Sequence, residues 1–172
     1  MPRPARRLLS LVVLAALGAC DGSLPAPDEG TFSARVRGDA AADLEGAAVF
    51  ATDDDARAPL PNSSVLRAVV LMEGRGGAAG FVKLAIYDSV RTGTYGARNV
   101  QFGAEGRGYG GYKGTVTITR VADDVVEGEL DVQGTCCGSA FSGRPFRQAH
   151  ARGRFAARRD PTRTVRDLNY GR

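Results

Sequence analysis

Tryptophan is absent from this 172-residue chain, histidine occurs once, methionine twice and cysteine three times. Each scarcity removes a class of chemistry. A lone imidazole, His150, cannot supply the histidine sets of catalytic zinc sites, and three cysteines cannot make a four-thiolate site. With aromatic residues at 7%, any core must be built mainly from aliphatic side chains. No apolar run approaches the ~20 residues that a membrane-spanning helix needs. What is present, 43% hydrophobic and 24% charged residues, is ordinary for a globular protein and excludes collagen-like, mucin-like and wholly disordered chains. The length suits one domain with a real core.

The balance of 23 Lys and Arg against 19 Asp and Glu looks basic, yet Arg3, Arg6 and Arg7 all fall in the first seven residues. Without them the count is 20 against 19, so no nucleic-acid partner is expected from net charge. Distribution carries more information than the total. Residues 20–143 hold 11 basic and 17 acidic side chains, whereas residues 144–172 hold nine arginines against Asp160 and Asp167. The chain is therefore polarised along its length.

The three early arginines precede a run from Leu8 to Leu17 that is apolar except for Ser10, far too short to span a bilayer. A basic start, a short apolar stretch and small residues before a break are what an export signal requires physically. The sequence Leu17-Gly18-Ala19-Cys20 resembles the lipobox of bacterial prolipoproteins. That resemblance implies cleavage between Ala19 and Cys20. It also implies a diacylglycerol on the Cys20 sulfur and an acylated amino group, with palmitate the acyl group expected. The implied location is a bacterial cell membrane or outer membrane, with the domain in the periplasm or at the cell surface. Residues 1–19 are then the signal peptide and 153 residues remain. Residues 20–30, with two prolines, three acids and no periodicity, read as a flexible tether.

After Gly30 no amphipathic helix of ten or more residues is apparent, and period-two alternation recurs between glycine-rich breaks. Residues 31–37 alternate Phe32, Ala34 and Val36 with Ser33, Arg35 and Arg37; Leu44, Gly46, Ala48 and Phe50 continue the pattern. Residues 65–72 form a strongly apolar strand, followed by a hairpin partner over 81–87 and a short extended stretch from Gly93 toward Phe102. Residues 115–121 and 125–132 read as a hairpin about Ala122-Asp123-Asp124, and 148–158 as a last strand ended by Pro161. Its outward His150, Arg152 and Arg154 would meet Glu127, Glu129 and Asp131 of the hairpin if the two are antiparallel neighbours. These signals predict an all-β domain over 31–159, a single antiparallel β-barrel or β-sandwich of about eight strands, and a frayed Arg-rich tail over 160–172. The succession Gly93-Thr94-Tyr95, Gly114-Thr115-Val116-Thr117-Ile118-Thr119, Val126-Glu127-Gly128-Glu129-Leu130 and Gly153-Arg154-Phe155 resembles small all-β envelope lipoprotein domains, a resemblance that implies no activity.

Few residues suggest chemistry. Cys136 and Cys137 remain once Cys20 is lipidated, and in an oxidising compartment they either bridge each other or sit in a stapled or buried turn. Residues 106–111, Gly-Arg-Gly-Tyr-Gly-Gly, match a dinucleotide-binding pattern formally but lead into a strand rather than a helix. They read as a flexible loop or bulged hairpin with Tyr109 and Tyr112 exposed. His150 lacks a nucleophile in a recognisable setting, Ser139 and Ser142 included. Asp53, Asp54 and Asp55 lack the spacing of a calcium loop, and Asn62-Ser63-Ser64 is a glycosylation pattern of no consequence for a bacterial lipoprotein. Arg158, Arg159, Arg163 and Arg166 lie beyond the paired face and are expected to be freer to meet phosphates. No catalytic residue, metal or cofactor is expected. The reading is a non-enzymatic envelope lipoprotein, held to the membrane by its lipid anchor, that binds a protein or envelope component. The alternative is a lipocalin-like carrier, with Ala34, Ala48, Gly128 and Gly153 leaving room inside a barrel for a small apolar ligand.

Overall fold

Alternation with one buried face forces each strand to choose a side, and in the computed structural model every inward set points to the same interior. The structure describes Leu24 and residues 26–52, 66–75, 80–137 and 145–170. Its strands are β1 (Thr31–Gly38), β2 (Ala42–Thr52), β3 (Ala68–Gly74), β4 (Phe81–Ile86), β5 (Gly93–Gly96), β6 (Val100–Ala104), β7 (Arg107–Val121), β8 (Val125–Cys136) and β9 (Arg147–Arg159). Neighbours pair antiparallel in the order β7-β6-β4-β3-β2-β1-β9-β8, and a β7–β8 pairing closes the ring. The domain is thus an eight-stranded barrel rather than a sandwich. Strand β5 is the extra one: a single 3-10 turn at Ala97–Asn99 separates it from β6, and both lie against β7.

The interior is filled by the chain itself. Phe32, Leu44, Phe50, Met72, Leu84, Phe102, Tyr109, Ile118, Leu130 and Phe155 belong to one buried cluster. Glycines on β8 give the rings their space. A methyl group on Gly128 would lie 2.7 Å from the Phe155 ring, and one on Gly134 would lie 2.6 Å from the Phe102 ring. Phe102 in turn stacks on Tyr109, with centroids 5.2 Å apart and planes 13° from parallel. Ala34 fills the corresponding space opposite Gly153. Of the small inward residues expected to leave room for a ligand, Gly128 and Gly153 therefore receive neighbouring side chains.

Three local expectations need correction. Residues 107–111 take the bulged-hairpin alternative rather than the flexible loop: β7 pairs with β6 and begins eight residues earlier than predicted, after a two-residue turn at Glu105 and Gly106 with φ of 51° and 71°. That strand's parity turns Tyr109 inward, so it is 1% exposed, while Tyr112, at a bulge in the β7–β8 ladder, stays 45% exposed. The tail is not frayed throughout, because Val165–Tyr170 forms a short helix, α1. Thr164 and Asp167 cap it reciprocally: the Asp167 carboxylate accepts from the Thr164 amide at 2.8 Å, and the Thr164 hydroxyl accepts from the Asp167 amide at 3.2 Å.

Helix α1 covers an apolar patch on the outside of the barrel, where Val165 and Leu168 pack on Ala51, Val69 and Leu71. Lys83 reaches its last turn and donates to the Asn169 carbonyl at 2.9 Å, and the burial this entails lowers the Lys83 pKa below its ordinary value. A Leu168→Ala variant should lose about 2–3 kcal/mol in urea unfolding, the lower part of the range for a buried leucine because the site lies at the periphery. A loss under about 0.5 kcal/mol would mean that the helix contributes nothing to the fold.

Candidate functional site

The outer face of β1, β9, β8 and β7 carries the densest set of charges among the described residues that line a cavity. The antiparallel register stacks them in rows. Arg35 lies across from Arg152, Arg152 across from Asp131, and Asp131 across from Thr115; the next row runs Ser33, Arg154, Glu129, Thr117. A third row places Arg37 beside His150 and Gln133. The predicted meeting of β8 acids with β9 cations occurs in this arrangement: Glu129 pairs with Arg154 at 3.0 Å, and Asp131 lies 2.7 Å from the His150 ring and 3.7 Å from the Arg152 guanidinium. Glu127 instead takes Arg120 of β7 at 2.7 Å, because its partner across β9 is Ala156.

These rows line a groove of about 650 Å³ in which Arg35, Arg37, Arg152 and Arg154 face Glu129 and Asp131, an excess of two positive charges with His150 neutral. The charges are unevenly satisfied. Arg37 is held by Asp43 at 2.6 Å and by two carbonyls, whereas Arg35 has no ion pair or hydrogen bond among the described residues. Among the described residues Arg152 has only the long contact to an aspartate that His150 already engages, and its side chain is 75% exposed. Like charges directly opposite on neighbouring strands are unfavourable unless something anionic sits between them. Arg35 and Arg152 are so placed.

The N-terminal segment borders this groove. Gly30 bonds through its amide to the Ala156 carbonyl and through its carbonyl to the Ala48 amide, and the Leu24 carbonyl accepts from Arg154 at 2.9 Å. Ala26 and Pro27 line clefts on both sides of this path, next to β1 and β2 on one flank and to β8 and β9 on the other. This strap explains why two outward positions, Ser33 and Ala156, are buried. The Ser33 hydroxyl is left there without a hydrogen-bond partner, as is the Tyr109 hydroxyl inside the barrel.

A second concavity, about 540 Å³, lies at the end of the barrel where β2 and β9 finish and β3 begins. Phe50 and Val126, 3% and 0% exposed, line it alongside Arg67, Asp88, Asp123 and Arg159. It is a polar-rimmed dish above the filled interior. The tail arginines expected to be free are partly engaged, since Arg159 donates to the Thr52 hydroxyl at 3.2 Å and Arg163 lies 3.9 Å from Glu73. Nearby, Asp160 accepts from the Thr162 hydroxyl and amide, which lowers its carboxyl pKa.

Cys136 and Cys137 are joined to each other by a disulfide at the end of β8, with Cys137 in the left-handed region at φ 63°. No group of three or more His, Cys, Asp or Glu among the described residues could hold a metal ion. No helix among them is long and apolar enough to cross a membrane. The lipobox with Ala19 and Cys20 lies outside the described residues, as do residues 53–55 and 62–64, Ser139 and Ser142. The groove joins Leu24, Arg35 and Arg37 to residues of β7, β8 and β9 far along the chain. Sequence reasoning found its β8 and β9 members through alternation, but missed Arg35 and Leu24, because no local signal states which strand lies beside β9. No family model, curated protein or solved structure matches this chain.

Proposed function

We propose that the protein is a lipid-anchored bacterial envelope module, acylated at Cys20, whose barrel works through its outer surface as a non-enzymatic binder. The observation that carries the reading is a contrast between inside and outside. Aromatic and aliphatic side chains of the chain occupy the barrel interior, while the outer face of β1, β9 and β8 sets Arg35, without a partner among the described residues, across from Arg152, which has one long contact to Asp131. A binder of this kind needs a rigid surface with fixed charges, and an antiparallel ladder closed into a ring supplies one, with the four-residue β5 the extra strand left at an edge. The partner is an envelope component with negative charge, because the groove's unsatisfied groups are cationic.

The alternative, a carrier of small apolar ligands, has the dish beside Phe50 and Val126 in its favour. The two readings differ in what an apolar probe does. Titration of the detergent-free protein with a fluorescent fatty-acid analogue should give no saturable binding. Saturable, stoichiometric uptake, displaced by an unlabelled fatty acid, would favour the carrier and count against the surface binder.

A further inference from the structure

We infer that the Arg35 and Arg152 groove is the membrane-facing side of the barrel and takes the anionic phosphate headgroups of the leaflet that holds the anchor. The inference rests on the acylation of Cys20 proposed above and adds to it an orientation and a ligand class.

Chain length ties the groove to the anchor. Leu24 lines the groove and is held there by Arg154. Cys20 is only four residues away, and four residues span about 14 Å even when fully extended. A lipidated Cys20 sits at the boundary between acyl chains and headgroups, so the groove lies within that reach of the headgroup layer. Full extension would exceed the Debye length of about 8–10 Å at ordinary ionic strength, so the arginines meet the surface charge when this segment is less than fully extended. Arg98, beside β6 on the far side of the ring from β1 and β9, has no comparable tie to the anchor.

Charge points the same way. Facing arginines, one without a partner among the described residues and one loosely paired, are poorly placed for the isolated fold but suit a phosphate diester, whose oxygens accept from both. Arginine's planar fork is the side chain best matched to that geometry. Basic residues near an anionic surface add to a lipid anchor and fix its orientation, which acyl chains alone leave undetermined. Glu129 and Asp131 remain engaged with Arg154 and His150, so they hold the row in place without neutralising Arg35.

The test uses the acylated protein purified from its host membrane and placed in detergent micelles, in vesicles of phosphatidylcholine alone, or in vesicles with added phosphatidylglycerol. Modification of each arginine by phenylglyoxal is followed by peptide mass spectrometry, and flotation and intact mass are recorded on the same samples. Arg35 and Arg152 should react about five-fold more slowly in the phosphatidylglycerol vesicles than in the neutral ones. Raised salt should remove the difference, and Arg98 should react equally in both. Equal rates for Arg35 and Arg152 in both vesicle types, with the protein acylated and floating, would overturn the orientation and leave the anchor intact. Protection already complete in micelles would assign the groove to the chain's own acidic segment and overturn it as well. Inorganic phosphate protecting equally well in micelles would point to a soluble anion and likewise overturn the orientation. A chain without acyl mass that fails to float would defeat the anchor and the orientation together.

Discussion

Replacing Phe155 by alanine should lower the free energy of unfolding by about 3–5 kcal/mol, read as an earlier urea midpoint with an unchanged slope. Phe155 is 1% exposed and its ring lies where Gly128 has no side chain. Truncation leaves a void bounded by a rigid closed ladder, and strands hydrogen-bonded on both sides cannot close in to fill it. The reverse experiment uses the same contact. A methyl group at Gly128 would meet the ring at 2.7 Å and the Thr117 carbonyl oxygen at 2.5 Å, so Gly128→Ala should cost about 1–3 kcal/mol. The two changes share a contact and should be non-additive, with Gly128→Ala costing less once the ring is gone. Single variants that both stay within about 1 kcal/mol of the parent would mean that the interior is not packed as described.

Contacts such as Phe155 on Gly128 lie beyond what a sequence can reveal, whereas strand parity does not. The alternation of Phe32, Ala34 and Val36, or of Val126, Leu130 and Val132, is legible because a strand with one buried face must repeat every two residues. The charge match between β8 and β9 follows from the same parity once the two are neighbours. Closure is a different matter, since it depends on β7 pairing with β8 along its length, and the first half of β7, residues 107–114 with four glycines, shows no alternation. The only bulky inward residue in that half is Tyr109, and its place against Phe102 is a tertiary fact. Helix α1 carries just two buried apolar side chains, Val165 and Leu168, too few for periodicity. The signal that marks it is Thr164 followed three residues later by Asp167, a capping pattern at its start. Arg35 became part of the candidate site only when β1 was found beside β9, 117 positions away in the Arg35–Arg152 pair.

The largest effect belongs to the proposed anchor. A Cys20→Ala chain should lose stable membrane attachment altogether, because each buried methylene of an acyl chain contributes about 0.8 kcal/mol and two or more chains make dissociation negligible. The uncut apolar run from Leu8 to Leu17 is too short to replace them as a spanning helix, so an alkaline wash should strip the variant from membranes that retain the parent. Retention of the variant after that wash would transfer the holding role from the acyl chains to some other part of the protein. The barrel itself should be unaffected, since its strands and buried core all lie within residues 24–170. Equal urea midpoints for the parent in detergent and the stripped variant would separate attachment from folding.

The most direct measurement is the intact mass of the protein extracted gently from its own host's membranes. The expected species is a chain that begins at Cys20, carries the mass of a diacylglycerol and an amide-linked acyl group, and is two hydrogens lighter for the Cys136–Cys137 bridge. An unmodified chain, or one that begins at another residue, would contradict the anchor on which both the proposed function and the orientation of the arginine groove depend.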